Sequence, residues 1–177
     1  GMRQSRGFKT KIAPFLKHTK VVELIAGQKY AGLPFTVYHP FRPGPGGNED
    51  SVVLGTIRNG TRFLFTGDLD RVGEREILQQ YPTLRVDVLK LGHHGSDTAS
   101  EPAFISQLQP KLGIISAGRE NRYGHPKQST LTTLAENRVP AINTADVGMI
   151  TYNYNWRGQA HWETMLPYRN PVAGSPR

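Results

Sequence analysis

Four short segments carry the side chains able to do chemistry, and each lies beside an apolar run of strand length. Gly92-His93-His94-Gly95-Ser96 sets two neighbouring imidazoles between glycines. Neutral imidazole is the commonest transition-metal ligand and the usual base near neutral pH. Flanking glycines and a small hydroxyl suggest a crowded site, which favours function over a turn in which one histidine packs and the other caps. Phe65-Thr66-Gly67-Asp68 puts a carboxylate just after a strand and a glycine. Asp68 there either binds a cation or caps the next helix, and for the residue alone capping is the simpler reading. His125 closes the stretch Gly118-Arg119-Glu120-Asn121-Arg122-Tyr123-Gly124-His125 ahead of Pro126. Arg119, Arg122 and Tyr123 have the chemistry to hold a phosphate or stack on a base; an ordinary surface loop fits the stretch equally well. Asn48-Glu49-Asp50-Ser51, and Asn143, Thr144 and Asp146, read first as turn chemistry.

Asp68, His93 or His94, and His125 fall at successive strand ends. Parallel strands bring their C-terminal ends to one sheet edge, so these groups can converge. Mixed nitrogen and oxygen donors suit zinc or manganese. A hydrolytic centre needs at least three protein ligands and an open position for water, a count this set barely reaches for one ion.

The elements that must hold these groups are readable from pattern. Residues 14–24 suggest a short helix leading into a strand at 21–24, and residues 35–39 alternate like a strand. The proline- and glycine-rich stretch 40–48 is a loop. Residues 51–57 and 61–66, joined by Asn59-Gly60, carry a hairpin signature, because both central residues of that turn need positive φ. Helices are expected over 72–81, 101–108 (with Pro102 in the first turn) and 129–137. Buried strands are expected over 85–91 and 112–116, and a last hairpin over 147–153 and 160–165. Strand and helix therefore alternate after Asp68, the signature of α/β layering. The expected organisation is a polar segment over 1–20, poorly ordered at its start, one domain over 21–166 and a tail over 167–177.

With 177 residues the chain suits one compact domain. It has no cysteine, which excludes disulfides, cysteine nucleophiles and zinc fingers. Its apolar runs are too short to span a bilayer. A formal net charge of +8 suits polyanionic partners, nucleic acid first and anionic lipid second, and fits the plainer reading of a solubilising surface equally well.

The ordered set of motifs resembles ComEC-type DNA-internalization competence proteins. The resemblance rests on residues 63–69, 87–96, 114–118 and 121–126, with 48–54 and 143–150 also matching, and covers about 21–152. It implies a metallo-β-lactamase-like αββα fold, of which this chain would be the C-terminal portion. It further implies a soluble metal-dependent nuclease-like domain on a polytopic membrane channel that imports single-stranded DNA. On that pattern Asp68 bridges metals and His93, His94 or His125 completes the site, while Asp68, His93 and His94 are the catalytic candidates. Lys90, Ser96, Arg119, Arg122 and Tyr123 would meet DNA. The principal His-x-His-x-Asp-His motif of that superfamily, and its His-x-Asp-x-Asp-His variant, do not occur here. Zinc or manganese is therefore expected in the complete domain, and weak or no metal binding and no nuclease activity in this piece. Expected partners are DNA, the channel portion of the parent protein, and a second copy of the chain through an exposed sheet face. A metal-free module that binds DNA or the channel is the rival expectation, and another metallo-β-lactamase-fold hydrolase is a third.

Overall fold

A computed structural model describes residues 7–19 and 21–167. Asn59 and Gly60 adopt φ of 47° and 75°, as a two-residue hairpin turn requires. The strands around them are β2 (Val53–Arg58) and β3 (Thr61–Phe65), and β1 (Thr36–His39) pairs antiparallel with β2. From there helix and strand alternate through α1 (Arg71–Gln80), β4 (Val88–Lys90), α2 (Pro102–Leu108) and β5 (Leu112–Ile115). The series continues with α3 (Gln128–Glu136), β6 (Ala141–Asn143) and the short α4 (Thr144–Val147). A two-stranded antiparallel ribbon, β7 (Ile150–Tyr154) and β8 (Ala160–Thr164), follows.

The main sheet has the order β1-β2-β3-β4-β5-β6, antiparallel up to β3 and parallel from β3 to β6. Each parallel crossover steps to the next neighbour in the same direction. Right-handed crossovers then put α1, α2 and α3 on one face, and α1 packs on α2 and α2 on α3. The architecture is mixed α/β, consistent with an α+β sandwich and with the alternation in the sequence.

Strand pleating divides the side chains between two faces. On the helix face, Gly55, Leu64, Leu89, Gly113 and Ala141 lie in register. Leu64 and Leu89 there join Leu69, Ile77, Phe104, Ile105, Leu108 and Leu134 in one buried cluster. The opposite face carries the row Leu54, Phe65, Lys90, Ile114 and Ile142. The ribbon covers part of that face: the Tyr152 ring lies 5.0 Å from that of Phe63, and the Tyr152 hydroxyl is 2.8 Å from Thr61 Oγ1.

Two expectations are corrected. No strand forms over 21–24; among the described residues this stretch is preceded by a π-helical piece at Phe8–Ile12 and a 3-10 helix at Ala13–Leu16. The Tyr30 hydroxyl accepts the Ile25 N–H at 2.6 Å and lies 3.0 Å from the Glu23 carbonyl, so a side chain serves this backbone instead of a neighbouring strand. The last hairpin also begins later than 147, because Asn143 Oδ1 accepts the Ala145 N–H and starts α4. Residues 1–6, Lys20 and 168–177, which hold most of the expected polar start and tail, lie outside the described residues. Among the described residues no helix is long and apolar enough to cross a membrane.

Candidate functional site

Backbone bonds tie the ends of β3 and β4 together. The Gly67 carbonyl accepts the His93 N–H at 3.1 Å and the Lys90 ammonium at 2.8 Å, while the Thr66 hydroxyl donates to the Lys90 carbonyl at 2.7 Å. The helix cap is not Asp68. It is Asp70, whose Oδ1 accepts the Val72 and Gly73 N–H groups at 3.0 and 3.2 Å. Asp68 is left half-exposed at the strand end, its Oδ1 3.5 Å from His94 Nε2. Burial lowers the Lys90 ammonium pKa, and the negative charge of Asp68 opposes that shift.

The turn after β4 is left-handed over three successive residues, with φ of 44° at His93, 57° at His94 and 82° at Gly95. A residue with a Cβ costs about 1–2 kcal/mol in that region, so neighbours must hold the turn. They do so through both imidazoles. His94 Nδ1 lies 2.6 Å from the Ser116 carbonyl at the end of β5. A carbonyl only accepts, so Nδ1 carries hydrogen and Nε2 of the neutral ring keeps its lone pair, facing the Asp68 carboxylate. Two acceptors that close are stabilised by a positive charge, either a proton on the ring or a cation between them. His93 Nδ1 lies 3.2 Å from both Asn48 Nδ2 and Thr98 Oγ1.

His125 arrives from the loop after β5. Asn121 builds that loop, its Oδ1 accepting the His125 N–H at 2.9 Å and its Nδ2 donating to the His125 carbonyl at 2.7 Å. The Lys127 N–H donates to the Gly95 carbonyl at 2.9 Å, docking this loop on the histidine turn. The His125 ring centroid is 5.8 Å from that of His93. Its Nδ1 is buried without a hydrogen-bond partner. Burial first, and then Lys127, His93 and His94, hold the His125 pKa below its ordinary value.

The structure therefore brings Asp68, His93, His94 and His125 to one edge, with Lys90 beside them. Arg119, Arg122 and Tyr123 lie on the loop leading to His125. Arg119 bonds the Ala145 carbonyl, and the Arg122 guanidinium sits 4.7 Å over the Tyr123 ring, which is stacked 5.7 Å from His125. Ser96, expected among the DNA contacts, is buried at 3% exposure; its hydroxyl accepts the Thr98 N–H and its carbonyl accepts the Thr130 hydroxyl. It builds the turn. Asn48 and Thr98 enter the site as partners of His93. Asn48 had read as turn chemistry, and nothing local in the sequence singled out Thr98.

Whether these groups suit a metal can be judged from their donors. The His94–Asp68 pair could flank a cation, and the orphaned His125 nitrogen could take one. Yet among the described residues no group of three or more His, Cys, Asp or Glu side chains is arranged to hold a metal ion. The set does not make up a metal centre by itself.

No family model matches the chain. Among individual proteins, it is 43% identical over 126 residues to ComE operon protein 3 of Bacillus subtilis (strain 168), covering 71% of this chain and 16% of that protein. It is 36% identical over 123 residues to competence protein ComA of Neisseria gonorrhoeae, covering 69% and 18% of the two chains. It is also 32% identical over 107 residues to recombination protein 2 of Haemophilus influenzae, covering 60% and 13%. The chain thus spans under a fifth of the length of these curated relatives. Over most of its length it is a homologue of one segment of larger proteins, two of them named for competence or its operon.

Proposed function

We propose that the chain is the DNA-facing portion of a ComEC-type competence protein, part of a metallo-β-lactamase-like domain that hydrolyses DNA phosphodiesters beside a membrane channel. The observation that carries this reading is the convergence of Asp68, His93, His94 and His125 at the ends of β3, β4 and β5, with an unpartnered His125 nitrogen. In its own chemistry the chain would bind and orient DNA. Lys90, Arg119 and Arg122 supply positive charge to phosphate oxygens, and Tyr123 supplies an aromatic face to a base. Asp68 and His94 lie beside these groups at the strand ends, with Oδ1 3.5 Å from Nε2. Zinc or manganese belongs to the same proposal, with ligands beyond those assembled here.

The test is a metal-supplemented nuclease assay on the complete parent protein with Asp68→Ala and His94→Ala variants. Loss of cleavage in both is expected, and undiminished cleavage in both refutes the site. A second reading, a module that binds DNA without cutting it, draws on the net charge of +8 and the basic loop of Arg119, Arg122 and Lys127. It predicts DNA binding by the chain with wild-type and variant proteins equally inactive.

A further inference from the structure

Helix α1 carries a carboxylate that the proposed chemistry does not use. Glu74 is 1% exposed, and its two oxygens accept the Ser100 N–H at 2.6 Å and the Glu101 N–H at 2.8 Å. These are the two residues just before α2. One turn earlier on α1, the Arg71 N–H donates to the Thr98 carbonyl at 3.0 Å. Segment 98–101 is thereby fastened to α1 through its backbone at three points, and Arg75 adds a bidentate pair to the Glu101 side chain. Ser100 is held in the left-handed region with φ of 59°, a conformation that needs such support. The same segment presents the Thr98 hydroxyl to His93 Nδ1 at 3.2 Å. Glu74, segment 98–101 and His93 form one mechanical chain.

We propose that Glu74 is a positioning residue, a latch that holds segment 98–101 against α1 and so keeps Thr98 on His93, and that protonation of Glu74 opens it. The inference concerns regulation of the proposed site and rests on that reading for its functional meaning. Its chemistry is simple. A carboxylate accepts well at both oxygens; protonation turns one of them into a donor and a much poorer acceptor, so one of the two amide N–H bonds is weakened.

The surroundings place the event in the neutral range. Burial raises the Glu74 pKa to about 7, the Glu101 and Ser100 N–H groups pull it back, Glu101 charge adds to the rise, and Arg71 opposes it. The other charged groups packed nearby are already engaged. Arg75 is bidentate on Glu101, Asp50 accepts the Gly46 N–H, and His39 on β1 is held by Glu76 and the Ser51 carbonyl. Glu49 lies against α1 through its backbone carbonyl, beside Gly73. The latch is closed above neutral pH and opens as pH falls through about 7.

Amide hydrogen exchange of the full chain, corrected for intrinsic rates, tests this between about pH 8 and pH 5.5, a window that brackets the raised Glu74 value of about 7 and stays above the ordinary Glu range. Protection at residues 98–101 should drop roughly tenfold or more on acidification, the loss of a hydrogen bond to a charged acceptor. Protection in β3 and β4 should hold. Glu74→Gln should show the low level at every pH, and the wild-type His93 ring resonances should differ from those of Glu74→Gln at high pH and converge on them as the latch opens. Flat protection across this range, or wild-type behaviour in Glu74→Gln, overturns the latch. Opening without any response at His93 overturns its link to the site. If Glu74→Gln does not fold, the wild-type series decides alone. None of these readouts needs DNA or cleavage, so a failed nuclease assay removes the proposed function without touching them.

Discussion

Gly95 is the point where the histidine turn and the His125 loop touch, and replacing it tests the geometry on which the site depends. An added Cβ would stand 2.8 Å from Pro126 Cβ and 3.2 Å from Pro126 Cα, on a backbone with φ of +82°. Gly60 is the natural control, since it has φ of +75° and nothing within 4 Å of the same position. Both alanine variants bear the cost of left-handed backbone, about 1–2 kcal/mol. Gly95→Ala alone adds overpacking, typically about 1–3 kcal/mol. The expected losses are therefore about 2–5 kcal/mol for Gly95→Ala and about 1–2 kcal/mol for Gly60→Ala. At roughly 2–4 °C per kcal/mol for a domain of this size, the first variant should lower Tm about twice as far as the second. Thermal unfolding followed by far-ultraviolet circular dichroism measures both. Equal shifts would show that Gly95 and Pro126 do not press on each other, and the docking of the two loops would have to be abandoned.

Other expectations separate the roles of neighbouring residues. Asp70→Ala should cost about 0.5–2 kcal/mol as a lost helix cap, whereas Asp68→Ala should leave stability almost unchanged; denaturant titration of the pair would expose a reversed assignment. Arg62 and Lys111 hold the Asp87 carboxyl below its usual range, with the Arg62 guanidinium contributing most. Stability from this pair is present above the unfolded carboxylate pKa of about 4 and lost as pH falls further. Asp87→Asn should therefore cost about 1–2 kcal/mol at neutral pH, discounted for the half-exposed Arg62, and flatten the acid limb of the stability curve. Phe104→Ala, at 1% exposure in the core, should cost about 3–5 kcal/mol by chemical denaturation. If the loop after β5 meets DNA phosphates, Arg119→Ala and Arg122→Ala should each lower the slope of log affinity against log salt by about one unit. An unchanged slope in both would remove that loop from the interface.

Features governed by neighbours in the chain were legible in advance. Asn59-Gly60 announces its turn because positive φ is a local property, and Pro102 marks a helix start for the same kind of reason. The strand expected over 21–24 failed because an apolar run says nothing about whether another strand lies beside it. Capping is the simpler reading of Asp68 taken alone, yet Asp70 performs it, since the choice depends on where α1 begins to within two residues. The histidines could be picked out by type and flanking glycines, but their partners could not. Asn48 lies 45 residues from His93 and meets it only through the sheet. Ser96 shows the converse, a polar residue beside the site whose side chain is turned inward.

The stepwise order of β3 to β6 bears on how this molecule comes into being. Asp68, the His93-His94 pair and His125 each sit after a different strand of the parallel run, with a crossover helix between successive strands. Loop closure must precede the contacts that reward it, and non-local pairing of this kind slows folding. On this order the cluster of imidazoles forms only once β4 and β5 have docked, and Asp68 joins it only through β3. Any probe of the His93–His125 approach is therefore also a clock for the completed fold, and a chain stalled after the β2–β3 hairpin would carry Asp68 with nothing to face.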